Sequence, residues 1–268
     1  MSKINKVHAR QVFDSRGNPT IEAEVILQDG SVGNAIVPSG ASTGRYEAHE
    51  LRDKNKDYLN KSVFDAVNNI NNKISKVLVN KGSTQQNEID KILINLDGTE
   101  NKSNIGANAI LAVSIANLKA AAKFSKKEIY RYINNTGKNN MPYPLMNIIN
   151  GGAHANNSLE IQEFMIRPDG AKSFKDCMQM SFLVIQNLKK NLEDKKISTS
   201  VGDEGGFAPS LGSDEEAIEV IMKSISAAGF KPGKDISICL DVAANELKKQ
   251  KNVEYFLKLT KKYPIKSI

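Results

Sequence analysis

The stretch TIEAEVILQDGSVGNAIVP alternates Ile21, Ala23, Val25 and Leu27 with Glu22 and Glu24, then breaks at Asp29-Gly30 before apolar residues resume. A period of two interrupted by Asp-Gly predicts a half-buried antiparallel hairpin. Downstream the period lengthens. In SVFDAVNNINNKISKVL, Val63, Val67, Ile70, Ile74 and Val77 recur at helical spacing, and STQQNEIDKILINL places Ser83 and Gln86 as a capping box for another helix. GANAILAVSIANLKAAAKF is apolar around most of its circumference, which predicts a central, enclosed helix. Strands followed by helices make residues 1–135 an α+β domain.

The Asn, Gly and Pro cluster NNTGKNNMPYP predicts a boundary, and residues 140–268 beyond it read differently. PLMNIIN, LEIQEFMI, STSVGD and DISICLD are short strand candidates separated by helical stretches. One of these, SDEEAIEVIMKSISAAG, has Ser213 and Glu216 as a capping box and Gly229 as its stop. Strands alternating with helices predict a parallel sheet, which a barrel is one way to close. In DISICLD, Ser237, Cys239 and Asp241 fall on one face and Ile236, Ile238 and Leu240 on the other. In a barrel the small set is expected inward and the apolar set against helices, with Asp241 ending the strand. Asp241, Glu204 just after STSVGD, and Glu163 in LEIQEF are then all expected at C-terminal strand ends, where barrel active sites lie.

Composition narrows the field. No signal-peptide core and no run of eighteen apolar residues is present, so the expectation is a cytoplasmic protein without a membrane span. The two cysteines, Cys177 and Cys239, are far apart, sit in apolar settings and lack metal-type spacing, which predicts buried free thiols. A formal charge of +7 invites a nucleic-acid reading. The lysines, however, are scattered among acids as in NLKKNLEDKK, and no RNA-binding motif, zinc finger or basic arm occurs. A basic balance of this kind still attracts an anionic substrate. In VGDEGGFAPS, two carboxylates precede two glycines and a proline turn; taken alone, a solvated acidic turn accounts for it.

VPSGASTG, NIINGGAHANN, QEFMIRP, GDEGGFAP and CLDVAANE occur in this order, together with DSRGNPTIE and GTENKSNIGANAILAVS near the N-terminus. This ordered set resembles the enolase family, the phosphopyruvate hydratases of glycolysis, over essentially the whole chain. The resemblance implies an α+β N-terminal domain followed by an enolase-type β/α (TIM-like) barrel. It also implies the reversible dehydration of 2-phosphoglycerate to phosphoenolpyruvate with two Mg2+ ions. A homodimer when full length is implied as well, and in some bacteria a structural place in RNA-degrading assemblies.

Residue by residue, the resemblance makes Glu204 the general acid for the departing C3 hydroxyl and Asp203 a structural partner of its loop. Glu163 is the second glutamate near the leaving group, expected to raise the pKa of Glu204 by like charge. Gln162 is a substrate contact, and because a regular strand sends neighbouring residues to opposite faces, the strand is expected to end or bulge there. His154 is a mobile-loop histidine that approaches substrate, with Gly151 and Gly152 permitting the movement. Ser39 ligates the second magnesium through hydroxyl and carbonyl as its loop closes; without the resemblance it reads as a Ser/Gly-rich surface loop. Asp241 is the first ligand of the tighter metal site and requires further carboxylates as partners.

Departures from the family follow YPIKSI, where a complete member continues into the remaining metal carboxylates, the base lysine and the phosphate-binding residues. Residues 140–268 amount to about half of the roughly 250 residues of a typical barrel. The expectation is an incomplete barrel cut inside its fifth strand and an inactive fragment of the enzyme. The alternative is a non-catalytic half-barrel serving as a binding or assembly module.

Overall fold

Strands β1 (Ile4–Phe13), β2 (Pro19–Leu27) and β3 (Val32–Val37) form an antiparallel sheet in that order. The computed structural model that shows this describes residues 2–40, 42–134, 136–137, 139–202, 204–247 and 252–268. Contacts divide the chain into two units, Met1–Gly40 with Arg45–Asn139, and Ala41–Gly44 with Asn140–Ile268. In the first unit Ile21, Ala23, Val25 and Leu27 are buried while Glu22 and Glu24 are half-exposed, as the alternation predicts. The turn follows from its residues: Gly30 takes φ +86°, and its N–H donates to the Leu27 carbonyl at 3.0 Å.

The next helical stretch is α1 (Phe64–Asn69), a π-helical turn (Ile70–Ile74) and α2 (Ser75–Leu78). The wider turn shifts the phase, so Ile70, Ile74 and Leu78, each four apart, are fully enclosed, whereas Val77 is only partly buried. Helix α3 (Gln86–Asp97) does not use the expected capping box; its N-cap is Gln85, without a side-chain cap. Ser83 Oγ instead donates to the Ser2 carbonyl at 3.1 Å, and Gln86 Nε2 donates to Asp90 Oδ1 at 3.0 Å. Tertiary partners outcompete the local cap there. Helix α4 (Ala107–Phe124) packs on β2 and β3 through Ala112, Ala116 and Ala120, and is followed by α5 (Ile129–Ile133). The approach of α4 to β3 is close enough that a Cβ at Gly33 would lie 2.2 Å from the Ala116 carbonyl oxygen.

In the second unit β4 (Met146–Asn150), β5 (Glu163–Arg167), β6 (Ser237–Asp241) and β7 (Ile265–Ser267) make a four-stranded sheet in sequence order. Only β6 and β7 are parallel; β5 runs antiparallel to both neighbours, against the expectation of a parallel sheet. Strand β4 returns as β5 through residues 151–162, which hold a 3-10 turn (Gly152–His154) and no crossover helix, so the pair closes as antiparallel. Residues 198–202 of STSVGD form no strand, and its last residue lies outside the described residues. Only isolated bridges occur, Val201 to Phe207 and Ile149 to Phe207, because the chain hairpins back after Gly202. The described strands do not close into a barrel.

Helices α6 (Phe174–Asp194), α7 (Asp214–Ala227) and α8 (Val253–Lys262) complete this unit. Helix α7 begins as predicted: Ser213 Oγ accepts from the Glu216 N–H at 3.1 Å, and Glu216 Oε2 accepts from the Gly212 N–H at 2.7 Å. Gly229 follows its end at φ +86°. The core joins Ile149, Phe164, Ile166, Ile238 and Leu240 of the sheet to Val184 and Leu188 of α6 and Ile218, Ile221 and Ile225 of α7. Ser237 and Cys239 are also fully buried, so both faces of β6 are covered and only Asp241 at its end is exposed. Cys177 and Cys239 are buried free thiols, and burial pushes the Cys177 thiol up. Among the described residues, no helix is long and apolar enough to cross a membrane.

Candidate active site

Register places three chain ends side by side: Asn150 at the end of β4 pairs with Glu163 at the start of β5, and Glu163 pairs with Asp241 at the end of β6. Glu163 therefore begins a strand and does not end one, contrary to expectation. It still shares the rim with Asp241, because an antiparallel neighbour presents its N-terminal end where the others present their C-terminal ends. Gln162 lies just outside β5, as the opposite-face argument requires. Its carbonyl accepts from the Gly151 N–H at 2.9 Å and its Nε2 donates to Ser42 Oγ at 3.3 Å. Among the described residues its buried Oε1 has no hydrogen-bond partner.

The segment entering β5 is fixed by side chains that sequence reasoning did not single out. Asp214 Oδ1 accepts from the Glu160 and Ile161 N–H groups at 2.9 and 3.3 Å. Asn157 Nδ2 donates to the carbonyls of Asn150 and Pro209 at 2.9 and 3.1 Å. Asn150, fully buried, donates from Nδ2 to the Gly206 carbonyl at 2.8 Å. Asp214 was legible only as a first-turn acid of α7; nothing local marks its reach to residue 160.

Glu204 stands at the tip of a tight hairpin. The Gly202 N–H donates to the Gly206 carbonyl at 2.8 Å, the Phe207 N–H donates to the Ile148 carbonyl at 2.9 Å, and the Asn150 N–H donates to the Phe207 carbonyl at 2.8 Å. The two glycines have separate tasks. Gly205 adopts φ +86°, while Gly206 lets the backbone approach β4, where a Cβ would lie 2.8 Å from the Ile148 carbonyl carbon. The hairpin is thus stitched to the end of β4 and leaves the Glu204 side chain 44% exposed. Asp203 lies outside the described residues.

His154 closes the 3-10 turn with its side chain 3% exposed, so it is a buried histidine and not one on an open loop. Its Nδ1 lies 3.5 Å from Glu163 Oε1 and its Nε2 lies 3.8 Å from Glu204 Oε1. The imidazole is thereby interposed between two carboxylates, and its Nδ1 makes no hydrogen bond among the described residues. Gly151 serves close packing here: a Cβ would sit 2.5 Å from the Ile161 carbonyl oxygen. Burial pushes the Glu163 carboxyl above the ordinary glutamate value; the charges of Asp241 and Glu204 add to this and His154 opposes it. The like-charge effect expected on Glu204 is thus visible on Glu163.

Asp241 Oδ1 accepts from the N–H of Ala243, which adopts a left-handed φ of +46°. Beside it a cleft of about 170 Å³ is lined by Ser42, Thr43, Gly44 and residues 243–246, with Asn245 Nδ2 donating to the Thr43 carbonyl at 3.3 Å. In the first unit, Ser39 Oγ donates to Glu50 Oε1 at 2.5 Å and accepts from Arg52 Nη2 at 2.6 Å, and its carbonyl accepts from Arg16 Nη2 at 2.5 Å. Magnesium requires about six oxygen ligands in octahedral array. Among the described residues no group of three or more His, Cys, Asp or Glu could hold a metal ion, and both Ser39 oxygens already face guanidinium groups. Neither Asp241, with its one carboxylate, nor Ser39 makes a magnesium site without further oxygen ligands.

An α+β unit is thus followed by a unit of four strands and three helices that holds a histidine between two carboxylates at its sheet rim. Residues 4–133 match the enolase N-terminal domain, and residues 138–268 match the enolase C-terminal TIM barrel domain. The chain is 56% identical to the enolase of Pelagibacter ubique (strain HTCC1062) in an alignment of 283 residues, which covers 100% of this chain and 68% of that protein. The chain belongs to the enolase family, and its C-terminal unit is part of an enolase barrel domain.

Proposed function

We propose that Glu204, Glu163 and His154 carry the proton-transfer side of the reversible dehydration of 2-phosphoglycerate to phosphoenolpyruvate, a lyase reaction of glycolysis and gluconeogenesis. The observation that carries this reading is the buried imidazole standing 3.5 and 3.8 Å from two carboxylates at one sheet rim. Glu204, on a hairpin hydrogen-bonded to β4 and with an exposed carboxyl, is the general acid that gives its proton to the departing C3 hydroxyl and regains one from solvent. Glu163 retains its proton more readily than an ordinary glutamate, which suits a donor toward the leaving group. His154 sets the spacing of the pair and approaches substrate. Gln162 brings an unsatisfied buried oxygen that a substrate hydroxyl would satisfy.

Residues 1–135 form the N-terminal domain in this reading, and residues 140–268 the first half of the barrel. Magnesium dependence comes with the family; Asp241 and Ser39 are the residues proposed to meet it, and both need further oxygen ligands. A cytoplasmic location, a homodimer and a place in RNA-degrading assemblies rest on the family alone.

The test is a chimera joining this chain to the part of the Pelagibacter ubique enolase that it does not span. In it, Glu204→Gln is expected to lower turnover by about 10²- to 10⁴-fold while exchange of the C2 proton continues. Near-normal turnover in the variant would reject the assignment.

A further inference from the structure

Residues 159–162 lie outside every strand, yet Leu159, Ile161 and Gln162 are buried, so their backbone groups need partners that no sheet supplies. They are held from two sides. The Leu159 and Gln162 carbonyls accept from the Gly152 and Gly151 N–H groups, both at 2.9 Å, while the Glu160 and Ile161 N–H groups donate to Asp214 Oδ1 at 2.9 and 3.3 Å. Asp214 is the first residue of α7, but its side chain does not serve the helix, because Ser213 and Glu216 already cap it. Its Oδ2 accepts from the Tyr255 hydroxyl of α8 at 3.3 Å, so both oxygens of this buried carboxylate are engaged. The stretch of chain that carries Glu204 runs on to Asp214 and grips residues 157–161 at three points. The Pro209 carbonyl accepts from Asn157 Nδ2 at 3.1 Å, the Leu211 carbonyl accepts from Ser158 Oγ at 2.5 Å, and Asp214 completes the set.

We propose that Asp214 is a positioning residue that sets where Gln162 and Glu163 stand relative to Glu204 and His154. What this does for the dehydration rests on the proposed roles of those residues. A backbone amide donating to a carboxylate makes a bond roughly twice as strong as one to a neutral acceptor, and two successive amides converging on one oxygen fix the course of the chain between them. Glu163 follows directly after Gln162, so a shift of this segment carries into the carboxylate that stands 3.5 Å from His154 Nδ1. Asp214 also closes the stretch that begins with Glu204. The two carboxylates are therefore placed by one continuous piece of chain gripping another, and Tyr255 on Oδ2 sets the orientation of the group that joins them.

Amide hydrogen exchange and histidine NMR resonances test this in the chain itself, with no turnover required. The Glu160 and Ile161 amides report the bonds to Asp214 directly, and the His154 imidazole, between Glu163 and Glu204, reports the spacing of the acids. The chain has three histidines, so His8 and His49, both of the first unit, serve as internal standards. Asp214→Ala is expected to speed exchange at residues 160 and 161 by about 10- to 100-fold, the loss typical of hydrogen bonds to a charged group, and to move the His154 ring resonances. His8, His49 and the amides of β1–β3 should stay as they are. Asp214→Asn, which keeps a neutral acceptor, should change both readouts in the same direction by less. Unchanged exchange at 160 and 161 would overturn the proposal, as would a response shared by His8, His49 and β1–β3. Faster exchange with the His154 resonances in place would also overturn it and leave Asp214 as a stabilising contact only. Should Asp214→Ala not fold, Asp214→Asn decides on the same two readouts. Failure of the Glu204 assignment would show in the chimera's turnover, which these measurements do not use.

Discussion

At Glu163 two neighbouring carboxylates and partial burial favour the protonated form, and His154 works against them. A raised carboxyl pKa means that the folded chain binds more protons than the unfolded one. Native stability therefore falls as pH rises from the ordinary glutamate value through the raised one, and the full penalty persists above it. In metal-free buffer, Glu163→Gln is expected to leave the melting temperature unchanged at acid pH and to raise it at neutral pH. Thermal melts of both proteins from about pH 3 to about pH 8 check this; curves that stay parallel would show that Glu163 bears no such penalty. His154 and Glu204 were legible as candidates because glycines stand beside them in quotable motifs, and Glu163 because it falls in the motif QEFMIRP. Asp214, Asn150 and Asn157 were not, since a carboxylate that satisfies backbone groups 54 residues away leaves no local trace.

Elements were legible where one physical rule decided them. The β2–β3 hairpin and the start of α7 obey local turn and capping chemistry, whereas α3 trades its expected cap for partners in other segments. The π-helical turn escaped notice because a 3.6-residue period cannot show one inserted residue, only its effect on which side chain is enclosed. Two element-level outcomes are expected. Gly33→Ala places a methyl 2.2 and 2.3 Å from backbone atoms of Ala116 and Ala120, so β3 and α4 must separate, at a cost of about 3 kcal/mol. Asp214→Ala removes the acceptor shared by Glu160 and Ile161 and should cost about 2 kcal/mol, while Asp214→Asn keeps an oxygen in place and recovers most of it. Urea unfolding of the three variants measures both; an Asn variant no better than Ala would remove the shared acceptor from the account.

For the whole molecule, each unit has its own buried cluster, one around Val25, Ile70 and Val113, the other around Phe164, Leu188 and Ile221. Proteolytic cleavage between residues 134 and 143 is expected to leave an N-terminal fragment that still unfolds cooperatively in urea. Release of an unfolded fragment would mean that its core is insufficient. Period-two and helical patterns made the first unit readable, because its antiparallel sheet alternates cleanly. The second was readable in part: α7 and three of the four strand candidates formed, while α6, α8 and β7 had not been singled out, and strand direction is not encoded in periodicity. What reversed β5 was the absence of a crossover helix between residues 150 and 163.

That reversal divides the two connections of β5 unequally in how much drift they tolerate. The chain entering β5 carries Gln162 and delivers Glu163, while the chain leaving it, after Arg167, lies at the opposite edge of the sheet, where Arg167 pairs with Ser237. Residues added between Ala171 and Lys172 would lengthen a surface loop far from the acids. One residue added among 157–162 would move the glutamate off its partner Asp241 and invert the faces of everything it precedes. In an insertion library, variants retaining function should accumulate after β5 and vanish before it, the reverse of a parallel barrel strand, whose outgoing loop is the one under constraint.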